Sequence, residues 1–169
     1  MCCARSASNA SVTANDKAHA ALRTRARRLA MQALYQWDLS GSNLSDIEVQ
    51  FHEDEDFGKV DREYFHELLH QVPARLDEVD AAFAPHLDRP VNELDPVERA
   101  VLRMACYELL ARIDIPYRVV INESVNLAKK FGAEQAYKYV NGVLDKTARS
   151  LRAVEHPQGQ GGSGLLKKP

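Results

Sequence analysis

The chain has 169 residues, 45% of them hydrophobic and 27% charged, with 24 acids against 22 Lys and Arg and a formal net charge of −2. This length and apolar content fit one compact globular domain with a real core and exclude wholesale disorder. No apolar run of about 18 residues is present to cross a bilayer. A near-neutral total excludes a uniformly basic surface, although it says nothing about local patches.

Cys2, Cys3 and Cys106 offer neither a disulfide framework nor a zinc spacing, and free thiols fit a reducing cytosol. The N-terminus has no apolar core of a secretory signal, so a cytoplasmic protein is expected. Residues 1–17 lack an apolar period and read as a disordered tail. Residues 153–169, with HPQGQGGSGLLKKP, read as a second tail of Gly/Pro linker composition. A single helical domain is expected over 18–152.

Within it, Leu22, Ala26, Leu29, Ala30, Ala33, Leu34 and Trp37 recur at helical spacing, and Ser40-Gly41 ends that helix. Residues 44–57 predict a short acidic helix and loop. Phe65, Leu68, Leu69, Val72, Leu76, Val79 and Phe83 form a long stripe, bent at Pro73. Asp95-Pro96 is a cap followed by proline at the first helical position, and the helix after it is apolar enough to be central. Pro116 opens another helix, which Gly132 closes behind Lys129 and Lys130. Ala136, Tyr139, Val140, Val143, Leu144, Thr147 and Leu151 make the last stripe. Asn141 reads as needing a buried partner, and Gly142 as permitting a close helix crossing. No alternating strand segment survives. The fold class is all-α, a compact bundle of six or seven helices.

That reading removes several chemistries. There is no glycine-rich phosphate loop after a strand, and no nucleophile elbow. HELLH (66–70) matches the pattern in which two histidines one turn apart bind zinc beside a general-base glutamate. The apolar stripe turns His66 and His70 toward solvent, no further histidine follows at the spacing of that class, and Pro73 interrupts the helix. A third ligand would have to be His86, Glu93 or another residue. A solvated histidine flank is therefore the reading, with no metal, no cofactor and no catalytic residue expected; a zinc-dependent hydrolase is the runner-up.

Charge distribution is more informative than its sum. Residues 1–35 carry Arg5, Lys17, Arg23, Arg25, Arg27 and Arg28 against Asp16, a balance of +5, whereas 46–63 has a balance of −6. Arg23, Arg25, Arg27 and Arg28 spread around their helix and can meet phosphates from several directions. Cations at a helix N-terminus oppose its dipole, a cost that a bound polyanion would offset. A solvated helix start is the alternative. Tyr35, and Tyr137 and Tyr139 beside Lys138, offer planar groups for unstacked bases; half-buried core tyrosine is the alternative for each.

Three segments together are specific: RTRARRLAMQALYQWDLSG (23–41), DPVERAVLRMACYELLARIDIPYRVVINESVNLAKKFG (95–132) and YKYVNGVLDK (137–146). They closely resemble the NusB family of bacterial transcription antitermination factors, over essentially 20–152. The resemblance implies two packed three-helix subdomains and a non-catalytic RNA-binding function. Such proteins bind the single-stranded boxA sequence of nascent ribosomal RNA leaders with NusE, a ribosomal protein, and join other Nus factors on RNA polymerase.

Residue by residue, the resemblance assigns Arg23, Arg25, Arg27 and Arg28 to RNA phosphates and Tyr35 to the RNA-facing end. Arg103 matches a basic position beside that face, and Lys138 and Tyr139 match a lysine and an aromatic ring before VNG. Gln135 replaces an acid found in many relatives, which would strengthen RNA binding. Glu98 is the candidate NusE contact, against the plain reading of an exposed first-turn glutamate. The resemblance also allows a homodimer. Competing functions are a ribosomal RNA methyltransferase part, for which the chain lacks a nucleotide-fold domain, and a NusB-like interaction module that does not bind RNA.

Overall fold

The computed structural model describes residues 13–155. Among these are seven α-helices, three short 3-10 helices and no strand. None of the helices is long and apolar enough to cross a membrane. The chain divides into two compact units, one through His70 and one from Gln71 onward; the second holds four α-helices rather than the three expected of each.

The first unit holds α1 (Ala14–Ser40), α2 (Leu44–His52), a 3-10 helix (Glu55–Lys59) and most of α3 (Arg62–Ala74). The helix begins inside the stretch expected as a tail. Thr13 and Asp16 form a reciprocal capping box, with Asp16 N–H donating to Thr13 Oγ1 at 3.2 Å and Thr13 N–H to Asp16 Oδ2 at 3.0 Å. Two otherwise orphaned amides are satisfied, so α1 extends ahead of its apolar stripe. Residues 1–12 lie outside the described residues. At its other end Gly41 adopts φ 64 and donates to Trp37 O, an αL cap that favours glycine.

Ala26, Leu29, Ala30, Met31, Ala33 and Leu34 are buried on α1, Ile47 on α2, and Phe65, Leu68 and Leu69 on α3. Phe57 from the 3-10 segment meets Phe65 edge-on at 5.2 Å. Trp37, expected in the core, is half-buried. Pro73 lies within α3, and the break comes at Arg75, whose φ −113 and ψ 28 separate α3 from α4 (Leu76–Phe83).

The second unit is built on α5 (Pro96–Ala111), which contacts α4, α6 (Tyr117–Phe131) and α7 (Ala136–Leu151). Asp95 caps α5 by accepting from Val97 and Glu98 N–H at 2.9 and 3.4 Å. Every residue from Ala100 to Leu109 is buried, which explains why this helix is apolar around most of its circumference. Burial raises the Cys106 thiol far above its ordinary pKa and so keeps it an inert core group.

Gly132 ends α6 for a steric reason, since its φ is −80. A Cβ there would lie 2.6 Å from Ala128 O and 2.8 Å from Ala136 Cβ. Asn141 and Gly142 correct the expectation of a close crossing. Both are exposed, and a Cβ on Gly142 would meet nothing within 4 Å.

Beyond α7, Arg152 and Glu155 reach the ends of α5 and α6. The buried Arg152 guanidinium donates to the carbonyls of Glu108 (3.2 Å), Leu109 (2.7 Å), Arg112 (2.9 Å) and Ile115 (3.2 Å) and pairs with Glu155. Glu155 in turn accepts from Tyr117 N–H at 3.1 Å. One side chain thus satisfies the open end of α5. Residues 156–169 lie outside the described residues.

Candidate nucleic-acid interface

The arginine arm is a set of structured side chains. Its basic charge is met by the acidic segment that follows it in sequence. Arg23 pairs with Asp61 at 3.8 Å, and Arg28 with Asp56 at 3.4 Å. Arg25, exposed on the helix, donates to Lys59 O at 3.3 Å. Arg27 is only 3% exposed; its Nη2 lies 3.5 Å from Tyr64 Oη and its guanidinium 5.3 Å from the Tyr64 ring centroid. Arg23 lies over the same ring at 5.1 Å. Tyr64 therefore brings Arg23 and Arg27 together, and the 3-10 segment holds Arg25 and Arg28. The sequence expectation of four arginines reaching outward is corrected for Arg27, which is inside the unit in this conformation.

Tyr35 is half-buried farther along α1 and lines a shallow open groove with Gln32, Gln36, Leu39, Ser40 and Phe51. The groove mixes apolar Leu39 and Phe51 with polar Gln32, Gln36 and Ser40 beside the ring, a combination that a stacked base can use.

The remaining predicted residues, Glu98, Arg103, Gln135, Lys138 and Tyr139, belong to the second unit. Arg103 is buried rather than surface-facing, and it forks onto Asp80 through Nε–Oδ1 at 2.8 Å and Nη2–Oδ2 at 2.9 Å. Gln135 sits exposed at the start of α7 with φ 71, a conformation that non-glycine residues seldom adopt. Lys138 is exposed. Tyr139 is half-buried; its hydroxyl donates to Asp88 Oδ1 at 2.9 Å, and Arg89 lies over its ring at 5.4 Å. Hydrogen bonds from Arg89 and then Tyr139 hold the Asp88 carboxyl at a pKa of about 2. The Tyr139 hydroxyl is raised, first by burial and then by its bond to Asp88. Glu98 is raised by partial burial and by the charge of Asp95, with Arg89 opposing.

Asp88 and Arg89 were not readable as site residues, because nothing in their local sequence marks them. The sequence marks Lys129 only as part of a helix terminus. Its Nζ lies 5.1 Å from the Tyr137 ring centroid, with Lys138 Nζ at 6.0 Å from the same ring. Exposed Lys129 and Lys138 over Tyr137, with Lys130 Nζ 5.5 Å from the neighbouring Phe131 ring, make a basic, aromatic patch suited to phosphates and bases.

HELLH proves to have a partner the sequence did not suggest. His66 Nδ1 is 2.8 Å from Glu48 Oε1, and His70 Nε2 is 2.7 Å from Glu48 Oε2. Neither His86 nor Glu93 joins them among the described residues. Partial burial raises the Glu48 carboxyl, but hydrogen bonds to His70 and His66 outweigh it and leave the pKa lowered.

The model of the NusB family matches residues 24–149. A transcription antitermination protein NusB from Teredinibacter turnerae is 59% identical over 140 residues, 82% of this chain and 95% of that protein. Among solved structures, T. maritima NusB has a TM-score of 0.68 at 34% identity, covering 75% of this chain and 90% of that one. A chain in the crystal structure of antitermination factors NusB and NusE in complex with dsRNA has a TM-score of 0.62 at 30% identity, covering 75% and 96%.

Proposed function

The chain belongs to the NusB family, and on that premise we propose that it is a non-catalytic antitermination factor of the cytoplasm that binds boxA RNA together with NusE. Through that complex it joins the Nus factors on RNA polymerase. The observation that carries this reading is near-full-length kinship with NusB proteins, one of which is solved with NusE on RNA.

The side chains take unequal roles. Arg25 is exposed and holds only a neutral carbonyl, so a phosphate gains its charge without displacing an acid. Arg23 and Arg28 must trade Asp61 and Asp56 for phosphate, which reduces their net contribution. Arg27 positions the arm against Tyr64. Tyr35 supplies a stacking surface. In the second unit, Lys138, Tyr139 and Gln135 contact RNA with Lys129 and Tyr137 beside them, and Arg103 supports this region from within. Glu98 is the contact for NusE.

A salt series of RNA binding, with and without NusE, tests this. Affinity for single-stranded boxA RNA should rise with NusE and fall linearly with log salt, and a duplex competitor reports strand preference. Arg25→Ala and Lys138→Ala should each lower the salt slope by about one unit at unchanged stability. Arg27→Ala should instead lower stability. The intramolecular pairing of the arginines favours one second reading, an interaction module that does not bind RNA. NusE binding without RNA binding would establish it.

A further inference from the structure

We propose that Glu48, His66 and His70 form a binding site for a divalent transition-metal cation of the zinc class. His66 and His70 lie one turn apart on α3, so their rings share a face, with centroids 4.3 Å apart. Glu48 comes from α2, which folds against them and presents one carboxylate oxygen to each imidazole. A ligand atom from each of the three residues lies within 4.8 Å of the others. Zinc bound tetrahedrally by N and O at about 2.0–2.2 Å needs ligand atoms roughly 3.4 Å apart. The side chains therefore need only small adjustments.

The donor chemistry is selective. Two imidazoles and one carboxylate suit zinc, nickel or copper better than calcium or magnesium, which prefer all-oxygen shells. In the tautomer whose proton sits on the other ring nitrogen, His66 Nδ1 and His70 Nε2 each turn a lone pair toward the carboxylate's position. His52 flanks the group, its Nε2 3.7 Å from Glu48 Oε1 and its ring stacked on Phe57 at 4.2 Å, but the converging ligand atoms are those of Glu48, His66 and His70. The Glu48 and His70 side chains are 16% and 24% exposed, while His66 is 60% exposed. Two ligands are thus held by their surroundings, and the third stands at the solvent edge as an entry point.

The site differs from the zinc-hydrolase pattern that the sequence suggests. Its carboxylate ligand is Glu48 from another helix, and the proposal concerns binding without a reaction. A bound cation would cross-link α2 to α3. Because α2 leads directly into the 3-10 segment that holds Arg25 and Arg28, the cation would stiffen the basic arm as well.

The test uses the full chain with Cys2→Ser and Cys3→Ser, which removes competing thiols. After chelator treatment, Zn2+ alone is titrated by calorimetry and by thermal unfolding. One equivalent should bind and raise Tm, and excess chelator should reverse the shift. His66→Ala, at an exposed position that does not threaten folding, and Glu48→Gln should each weaken binding by at least about tenfold and remove the Tm shift. His86→Ala should change neither. Absence of saturable zinc binding, or binding equally tight in His66→Ala and Glu48→Gln, would overturn the proposal.

Discussion

Arg103 and Asp80 form a two-point ion pair between α5 and α4, at 2.8 and 2.9 Å. The Arg103 side chain is 11% exposed and that of Asp80 23%, so the pair is neither a surface decoration nor fully dry. Removing the guanidinium would leave a carboxylate short of both water and charge partner. Arg103→Ala should therefore cost roughly 2–4 kcal/mol in chemical denaturation. Arg103→Ala with Asp80→Ala should cost less than the two single changes summed, a coupling that a double-mutant cycle reads directly. RNA binding gives an independent check. If Arg103 acts by supporting the fold, the salt slope of the folded variant matches that of the parent chain, whereas a phosphate contact would lower it by about one.

Tyr139 and Asp88 predict a measurable pH effect. Asp88 has its pKa depressed from 3.8 to about 2 by Arg89 first and Tyr139 second. A depressed carboxyl favours the folded state above its unfolded pKa. That contribution disappears as pH falls from about 4 toward 2. Tyr139→Phe keeps the ring but removes the hydroxyl donor, so the Asp88 carboxyl should titrate at higher pH in an NMR series. Arg89→Ala should raise it further. An unmoved Asp88 in Tyr139→Phe would mean that the hydroxyl does not engage the carboxylate in solution.

Two glycines should respond in opposite senses. Gly132→Ala drives a methyl to within 2.6 Å of Ala128 O and 2.8 Å of Ala136 Cβ, where α6 gives way to α7. The backbone must shift, and a loss of about 1–3 kcal/mol is expected. Gly142 lies in the exposed interior of α7 with open space around it. Gly142→Ala removes backbone freedom from the unfolded chain and should stabilise by about 0.5–1 kcal/mol. Equal Tm values for the two variants would contradict this assignment.

What was legible in the sequence divides along the range of the interactions involved. The α5 helix was readable because Asp95 and Pro96 mark its start locally and burial on nearly every side demands apolar residues throughout. The start of α1 at Ala14 is not legible, because the Thr13–Asp16 box precedes the apolar stripe, on an exposed stretch with no periodic signal. The arginine cluster was visible as charge. Its acidic partners, 28 and 38 residues away at Asp56 and Asp61, were visible only as a separate acidic segment. The opposite charges that cancel in the total also meet in space, a fact that no local pattern encodes. Likewise HELLH advertised two histidines, but only the packing of α2 supplied Glu48.

Arg152 offers the sharpest test of where the fold ends. It lies one residue beyond α7 and is 6% exposed, yet no periodicity marks it. Its guanidinium serves four carbonyls, three at the end of α5 and one at Ile115. Glu155 pairs with it and also caps the first amide of α6. Arg152→Ala strips these acceptors of a charged donor at a buried helix end, so a loss of about 2–4 kcal/mol is expected. Arg152→Lys should recover little, because a single ammonium cannot span the fork of acceptors. Truncation after Leu151 should match Arg152→Ala in denaturant midpoint. A full-strength midpoint after removal of Arg152 would show that the end of α5 is satisfied by water instead.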